Sequence, residues 1–234
     1  MKTLYIIPAR AGSKGLPGKN TKLLCEKPLI AWTIETALKC KHKGAVVVST
    51  DSNAIAEQAK KSGADVPFMR PAELASDTAS SADVVLHALD YFESQNQKFD
   101  LIVLLEPTSP LRDTSDVDDA IDKLLSTKDA ESIVGVAKAE GTHPVFNVKF
   151  KNDFIVPYIP GGMQSKRRQD VDAAFFFEGS LYVSKTEAFR NKKSFYHDKT
   201  IGHIMPKEKS YEIDDSTDFI IVERLMQEKL KKTV

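Results

Sequence analysis

The sequence predicts an α/β fold in which a mainly parallel sheet is flanked by helices. Short apolar runs at residues 4–7, 45–49 and 101–105 alternate with longer segments of helical periodicity. Continuously apolar strands indicate a sheet that is covered on both faces, which is typical of parallel sheets connected by helices. The 234 residues are enough for one large domain with a substantial core.

Local signals justify the elements of the first part of the chain in order. Proline is tolerated in the first turn of a helix, serine or aspartate caps helix starts, and glycine ends helices. The predicted elements are a strand at 4–7, a helix from Pro28, a strand at 45–49, a helix from Asp51 or Ser52 to Gly63, a helix from Ser80 or Asp83 to about Asn96, a strand at 101–105, a helix capped by Ser115 and Asp116 that ends near Ser126, and a strand at 133–136.

The pattern changes from about Gly141. Residues 146–150 and 154–158 predict a hairpin, and a polar, basic stretch follows at 161–170. Strand character returns at 173–177 and 180–183, and a final helix begins near Ser216. We therefore expect an α/β domain formed by residues 1–140 and 173–234, with residues 141–172 as an excursion from it.

Composition excludes several classes of protein. The 33 basic and 33 acidic residues give a formal net charge of zero, which argues against a bulk nucleic-acid binder. No apolar run approaches the roughly 20 residues that a membrane span needs, and the apolar stretch near the N-terminus is too short for a signal peptide. Cys25 and Cys40 lack metal-type spacing, so we expect reduced thiols and a cytoplasmic location, with no membrane partner.

The loop after the first strand is rich in glycine and lysine. Its glycines, Gly12, Gly15 and Gly18, do not have the spacing of the dinucleotide fingerprint. The P-loop pattern fails as well, because it would need glycine in place of Ser13 and serine or threonine in place of Asn20. Standard nucleotide motifs therefore do not explain this loop.

Three cations of this loop, Arg10, Lys14 and Lys19, are not balanced by any acidic residue before Glu26. Backbone N–H groups of a glycine-rich turn can approach phosphates closely. The loop therefore predicts a cradle for a triphosphate together with a carboxylate. The alternative is a solvated basic turn.

Three segments of the chain carry a resemblance to a known family. They are IPARAGSKGLPGKN at 7–20, RPAELASDTASS at 70–81 and EPTSPLR at 106–112. In this order they resemble the motifs of the acylneuraminate cytidylyltransferase (CMP-N-acetylneuraminic acid synthetase) family, and the similarity extends over essentially the whole chain. The resemblance implies a Rossmann-like fold of the nucleotide-diphospho-sugar transferase type and transfer of CMP from CTP to the anomeric oxygen of a nonulosonic acid, with release of pyrophosphate.

The resemblance also implies roles for individual residues. The nucleotide and its phosphates would be held by Arg10, Ser13, Lys14 and Asn20, and the cytosine and ribose would be contacted by Arg70, Ala79 and Ser81. Lys19 would polarise the reacting phosphate, with Arg10 and Lys14 as further catalytic cations. The sugar would be surrounded by Glu106, Arg168, Tyr182, Phe195 and Tyr196. The alternatives are purely structural roles: a turn residue for Asn20, a helix cap for Ser81, core packing for Phe195 and Tyr196, and a solvated basic face at 166–168.

Glu212 and Asp214 precede the last helix, and alternation on an extended segment places both carboxylates on one face. The resembled family has an acidic pair here, usually Asp-x-Asp, so the pair is expected to bind Mg²⁺ (or Mn²⁺). Surface carboxylates near a helix start are the alternative, and that role suits Asp215 and Asp218 better. The family further implies a homodimer in which the excursion and the 195–196 segment reach the partner's site.

Two departures from the family affect the expected sugar. Glu106 stands where the family usually has glutamine, and Phe146 stands where sialic acid enzymes carry a lysine. Legionaminic acid or Kdn is therefore an alternative to N-acetylneuraminate. A non-catalytic nucleotide-binding regulator is a rival from another class, whereas a dehydrogenase using Asp51 is disfavoured by the failed glycine fingerprint.

Overall fold

The computed structural model describes residues 1–162 and 167–232. Over these residues the central sheet has six strands in the order β10-β6-β9-β5-β1-β4. The strands and helices in chain order are β1 (Thr3–Pro8), β2 (Leu23–Leu24), β3 (Lys27–Pro28), α1 (Leu29–Lys39), β4 (Gly44–Ser49), α2 (Asn53–Lys61), α3 (Ser81–Ser94), β5 (Leu101–Leu104), α4 (Thr114–Ser126), β6 (Ser132–Lys138), β7 (Val148–Lys151), β8 (Phe154–Pro157), β9 (Phe175–Lys185), α5 (Thr186–Lys192), β10 (Thr200–Ile204) and α6 (Ser216–Lys232).

The mainly parallel sheet is confirmed. β1 pairs in parallel with β4 and β5, and β10 pairs in parallel with β6. β9 is the exception, because it runs antiparallel to both β5 and β6. Its two neighbours consequently run in the same direction as β1, so the strands β1, β4, β5 and β6 all end at one edge of the sheet.

The core lies on both faces of this sheet, as the apolar strands predict. Tyr5 and Ile7 of β1 pack on one face with residues from α1, α2 and α4. Leu4 and Ile6 pack on the other face with residues from α3 and α5. Side chains that alternate in this way along a strand bury both of its faces.

Residues 141–162 leave the body and form a separate two-stranded hairpin. β7 and β8 pair antiparallel, with Asn152 at the turn in the left-handed region at φ 52°. The first strand begins later than the sequence predicts, because Pro144–Phe146 form a 3₁₀ turn. Phe150 and Phe154 are 77% and 75% exposed, so the hairpin carries an apolar surface that this chain alone does not cover.

Other expectations need correction in detail. The two strands predicted at 173–177 and 180–183 are one strand, β9, which contains Gly179 at φ +26°. Asp113 is the N-cap of α4 in place of the predicted pair, and Asp116 accepts a hydrogen bond from the Asp113 N–H at 2.6 Å. The short elements β2, β3, α5 and β10 were not predicted. No helix in the described parts of the chain is long and apolar enough to span a membrane.

Candidate active site

The candidate site lies at the edge of the sheet where the parallel strands end. Arg10 follows β1, Asp51 follows β4 and Glu106 follows β5. Loops at the carboxyl ends of parallel strands converge on one crevice, which is the usual ligand site of open α/β sheets. Two adjoining pockets occupy this crevice, and both are lined by Pro8, Arg10 and Glu106.

The α3 pocket, which we name for the helix at its margin, has a volume of about 170 Å³ and is also lined by Arg70, Ala79 and Ser81. Arg70 is only 7% exposed. Its Nε donates to Ser49 Oγ at 3.1 Å, and its Nη2 donates to the Ser49 carbonyl oxygen. Burial lowers the pKa of Arg70. The structure thus brings together the three residues that the resemblance assigns to the cytosine and ribose.

The loop pocket, named for the loop at residues 9–20, has a volume of about 350 Å³. It is lined by nearly all the residues assigned to the phosphates and by one carboxylate of the acidic pair, namely Arg10, Ser13, Lys14, Lys19, Asn20 and Asp214. Because Arg10 and Glu106 line both pockets, a single extended ligand could occupy the two together.

The cations of the loop have a partner that the sequence argument missed. Asp77 Oδ1 accepts from Arg10 Nη1 at 2.7 Å, and Lys14 Nζ lies 2.6 Å from Asp77 Oδ2. These two cations hold the pKa of Asp77 below its usual range. The sequence shows Asp77 only as an acidic residue of the 70–81 motif, and it lies 67 residues beyond Arg10 in the chain.

Lys19 is almost fully buried, at 8% exposure. Its Nζ donates to the Ile213 carbonyl oxygen at 2.6 Å and lies 3.5 Å from Asp214 Oδ1. Asn20 Nδ2 donates to the Arg10 carbonyl oxygen at 3.1 Å, so Asn20 fixes the loop as well as lining the pocket. The N–H of Ala11 donates to Asp51 Oδ1 at 2.8 Å, while Ser52 rather than Asp51 caps α2.

The acidic segment before α6 shows the alternation that the sequence predicts. Ile213 is fully buried, whereas Glu212 is half-buried and Asp214 is exposed. The Ile213 N–H donates to the Thr108 carbonyl oxygen at 2.9 Å. A Cβ on residue 15 would collide with the Asp214 carbonyl oxygen, so Gly15 is needed for the close approach of the loop.

The acidic pair fits a divalent cation by the chemistry of its oxygen atoms. The pKa of Glu212 is raised mainly by burial and secondly by repulsion from the charge of Asp214. A bound cation would relieve the repulsion between the two carboxylates. Within the described residues, no group of three or more His, Cys, Asp or Glu side chains is arranged to hold a metal by itself. Mg²⁺ is commonly held by one or two carboxylates plus phosphate oxygens, so the oxygen atoms of Glu212 and Asp214 suit this ion, and Asp214 lines the loop pocket. Asp215 and Asp218 instead accept backbone hydrogen bonds at the start of α6, as expected.

Glu106 lies where the two pockets join. Ser81 Oγ donates to its Oε1 at 3.4 Å, while Ser80 rather than Ser81 caps α3. The pKa of Glu106 is raised to about 7, mainly by burial and secondly by the charge of Glu212. The positive charges of Arg112 and Arg70 and the Ser81 hydrogen bond oppose this rise.

The aromatic residues assigned to the sugar form one cluster beside β9. The ring of Tyr182 lies 5.4 Å from that of Phe195 and 6.0 Å from that of Tyr196. Phe195 is 5% exposed and also packs on Phe189 at 4.6 Å, so it is part of the core of this chain. Tyr196 is 43% exposed. The side chain of Arg168 lies outside the part of the structure that is described.

Comparison with known proteins finds several relatives and solved structures that are similar to this chain. It is 32% identical to an N-acylneuraminate cytidylyltransferase from Escherichia coli, over 100% of this chain and 54% of that protein, so it spans about half the length of that relative. It is 34% identical to a CMP-N,N'-diacetyllegionaminic acid synthase from Legionella pneumophila, over 97% of both. A CMP:2-keto-3-deoxy-manno-octonic acid synthetase complexed with CTP has the same fold, with a TM-score of 0.71 over 98% of this chain and 100% of that one at 17% identity.

The sequence profile of the family described as cytidylyltransferase covers residues 4–231, nearly the whole chain. This extent, together with two relatives above 30% identity that match at least 97% of this chain, shows that the chain belongs to the cytidylyltransferase family.

Proposed function

We propose that the chain transfers CMP from CTP to the anomeric oxygen of a sialic-acid-like nonulosonic acid and releases pyrophosphate. The observation that carries the proposal is the pair of adjoining pockets, one lined by Arg70, Ala79 and Ser81 and the other by the cations of the loop. The names of the relatives, which act on N-acylneuraminate and diacetyllegionaminic acid, support this substrate class.

CTP would lie across both pockets. The cytosine and ribose would occupy the α3 pocket, and the triphosphate would lie in the loop pocket against Ser13, Lys14 and Asn20. Arg10 lines both, so its guanidinium would contact the nucleotide near the α-phosphate. Fixed cations of this kind bind a polyanion without large reorganisation, because the loop is already held by Asn20 and Asp51.

The reaction needs positioning and charge neutralisation rather than a covalent nucleophile. The oxygen of the anomeric hydroxyl would attack the α-phosphorus while the bond from phosphorus to the α,β-bridging oxygen breaks. Pyrophosphate leaves with that electron pair, and the hydroxyl proton is released to solvent. Lys19 would stabilise the negative charge that develops on the α-phosphate. Its contacts with Ile213 and Asp214 hold the ammonium at the base of the loop pocket.

Glu212 and Asp214 would hold Mg²⁺ (or Mn²⁺), which supplies neutralisation of the phosphate charge when it is bound. The hydrogen bond from the Ile213 N–H to Thr108 fixes this segment against the loop that follows β5. The two carboxylates are therefore kept next to the loop pocket before any ligand arrives.

We also propose that the chain is a homodimer in which residues 141–172 provide the interface and reach the partner's site. The hairpin presents Phe150, Phe154 and Tyr158 at 77%, 75% and 62% exposure. Phe150 and its cross-strand partner Ile155 lie on one face of the hairpin and Phe154 lies on the other, so both faces expose large apolar side chains. Exposed apolar patches of this kind often mark protein–protein contacts. Tyr182 and Tyr196 would contact the sugar from beside this interface.

The dimer is tested by light scattering on a purified double variant, Phe150→Ser with Phe154→Ser. We expect the variant to be monomeric and to lose transferase activity. Ile220→Ser is the matched control, because Ile220 is 68% exposed on α6, away from the hairpin. A dimer that survives the double substitution would contradict the assignment of the interface.

The activity is tested by pyrophosphate release with CTP, Mg²⁺ and N-acetylneuraminate, legionaminic acid or Kdn. We expect release only when nucleotide, metal and sugar acid are all present. Equal activity with ATP would refute the proposal, and CTP binding without pyrophosphate release for any sugar acid would favour a nucleotide-binding regulator. Cys25 and Cys40 are both free thiols, which suits a reducing compartment, and we therefore propose a cytoplasmic location.

A further inference from the structure

A fully buried arginine lies beneath the floor of the candidate site. Arg112 is 1% exposed. Its Nη2 donates to Thr33 Oγ1 at 2.8 Å and to the Glu106 carbonyl oxygen at 2.9 Å, and its Nη1 donates to the Ser180 carbonyl oxygen. Arg112 is not among the described residues that line either pocket, so its side chain acts from below the pockets.

These hydrogen bonds join segments that carry the candidate substrate residues. The Glu106 carbonyl belongs to the segment that follows β5, and Glu106 lines both pockets. Ser180 is in β9, two residues before Tyr182, and its neighbour Gly179 lies against the Glu212 carboxylate. One rigid guanidinium therefore sets the distance between the loop after β5 and the part of β9 that faces the sugar.

The charge of Arg112 is balanced inside the protein. Glu178 is 1% exposed, and its charge and that of Glu106 oppose the effect of burial, which lowers the pKa of Arg112 to about 10. A Cβ on residue 135 would collide with the Glu178 carboxylate, so Gly135 makes room for it. Burying a guanidinium costs free energy of hydration, and apolar residues usually stabilise a core as well or better. Stability of the core is therefore a weak reason for an arginine at this position.

We propose that Arg112 is a positioning residue for the sugar-acid half of the reaction, fixing Glu106 and residues 178–182 relative to each other without touching substrate. The inference rests on the proposed function. CTP binding depends on other contacts, because Arg70 is fixed separately by Ser49 at the end of β4. Disturbing Arg112 should therefore affect sugar-acid turnover far more than nucleotide affinity.

Two variants test this by different routes. Arg112→Lys keeps the charge but cannot span three acceptors, and we expect roughly a tenfold or greater loss of kcat with a raised KM for the sugar acid. Thr33→Val removes one acceptor at nearly constant volume from a helix outside both pockets, and we expect a loss of about threefold or more. In both variants the Kd for CTP should stay within about twofold of the wild type, because Arg70 keeps its own hydrogen bonds to Ser49. Arg190→Lys is the matched control, because this arginine pairs with Asp90 and Glu93 at the surface.

The measurements are sugar-acid kinetics, calorimetric CTP binding and thermal unfolding on each purified chain. Should Arg112→Lys fail to fold, Thr33→Val alone decides. Unchanged sugar-acid kinetics in a folded variant, or a parallel weakening of CTP binding and turnover, would overturn the positioning role. Wild-type chain that binds CTP but turns over none of the sugar acids would instead refute the proposed function, and this inference with it.

Discussion

Removing the Glu106 carboxylate should stabilise the protein in alkaline solution. The pKa of Glu106 rises from 4.5 to about 7 on folding, because the half-buried carboxylate loses hydration in the crevice and is repelled by the charge of Glu212. Its folded-state pKa lies above its unfolded value, so the native state binds more protons between these pH values and stability falls as the pH rises from about 4.5 to about 7. The shift corresponds to a cost of about 3 kcal/mol once the pH exceeds both values.

Glu106→Gln keeps the shape of the side chain and removes this cost. We expect urea unfolding to show a gain of up to about 3 kcal/mol at about pH 8.5 and of about 1 kcal/mol at about pH 5. Glu93→Gln, an exposed carboxylate paired with Arg190, is the control and should change stability by about 0.5 kcal/mol or less at either pH. An equal effect of Glu106→Gln at both pH values would refute the reasoning.

The remaining predictions concern charge in the loop pocket. Lys19→Gln should lower pyrophosphate release by roughly a hundredfold or more, since the buried ammonium is the fixed cation nearest the acidic segment; near-normal rates would remove it from catalysis. Asp214→Asn should shift the Mg²⁺ titration of activity to higher concentration, and an unchanged titration would argue for a surface role. Asp77→Asn should tighten CTP binding a few-fold at low ionic strength by releasing Arg10 and Lys14, with the gain lost in high salt; weaker binding would show that Asp77 instead holds these cations in their productive positions.

Local patterns predicted much of the fold because its core strands are short and continuously apolar. The strands β1, β4, β5 and β6 follow directly from such runs, and the predicted serine caps Ser52 and Ser80 are the N-caps of α2 and α3. The direction of β9 was harder to predict, because it depends on how the chain returns from the hairpin rather than on the residues of the strand itself. β10 is short and half-buried and α5 spans seven residues, so neither has enough periodicity to stand out.

The residues that form the site could be predicted from the sequence, but the ion pairs and hydrogen bonds between them could not. The resemblance and the glycine-rich loop identified most of the residues that line the two pockets. The contacts that fix them join residues far apart in the chain, such as Arg10 with Asp77 and Lys19 with Ile213. A single sequence shows which charges exist, whereas only the fold shows which of them face each other.

The measurement that tests the central claim most directly is product identification after incubation of the purified chain with CTP, Mg²⁺ and each nonulosonic acid in turn. Phosphorus NMR distinguishes a CMP-sugar phosphodiester from CTP and reports pyrophosphate in the same spectrum. We predict a phosphodiester and pyrophosphate in equal amounts for at least one of the sugar acids. CTP that stays intact with every sugar acid, or that is hydrolysed to free CMP, would contradict the account.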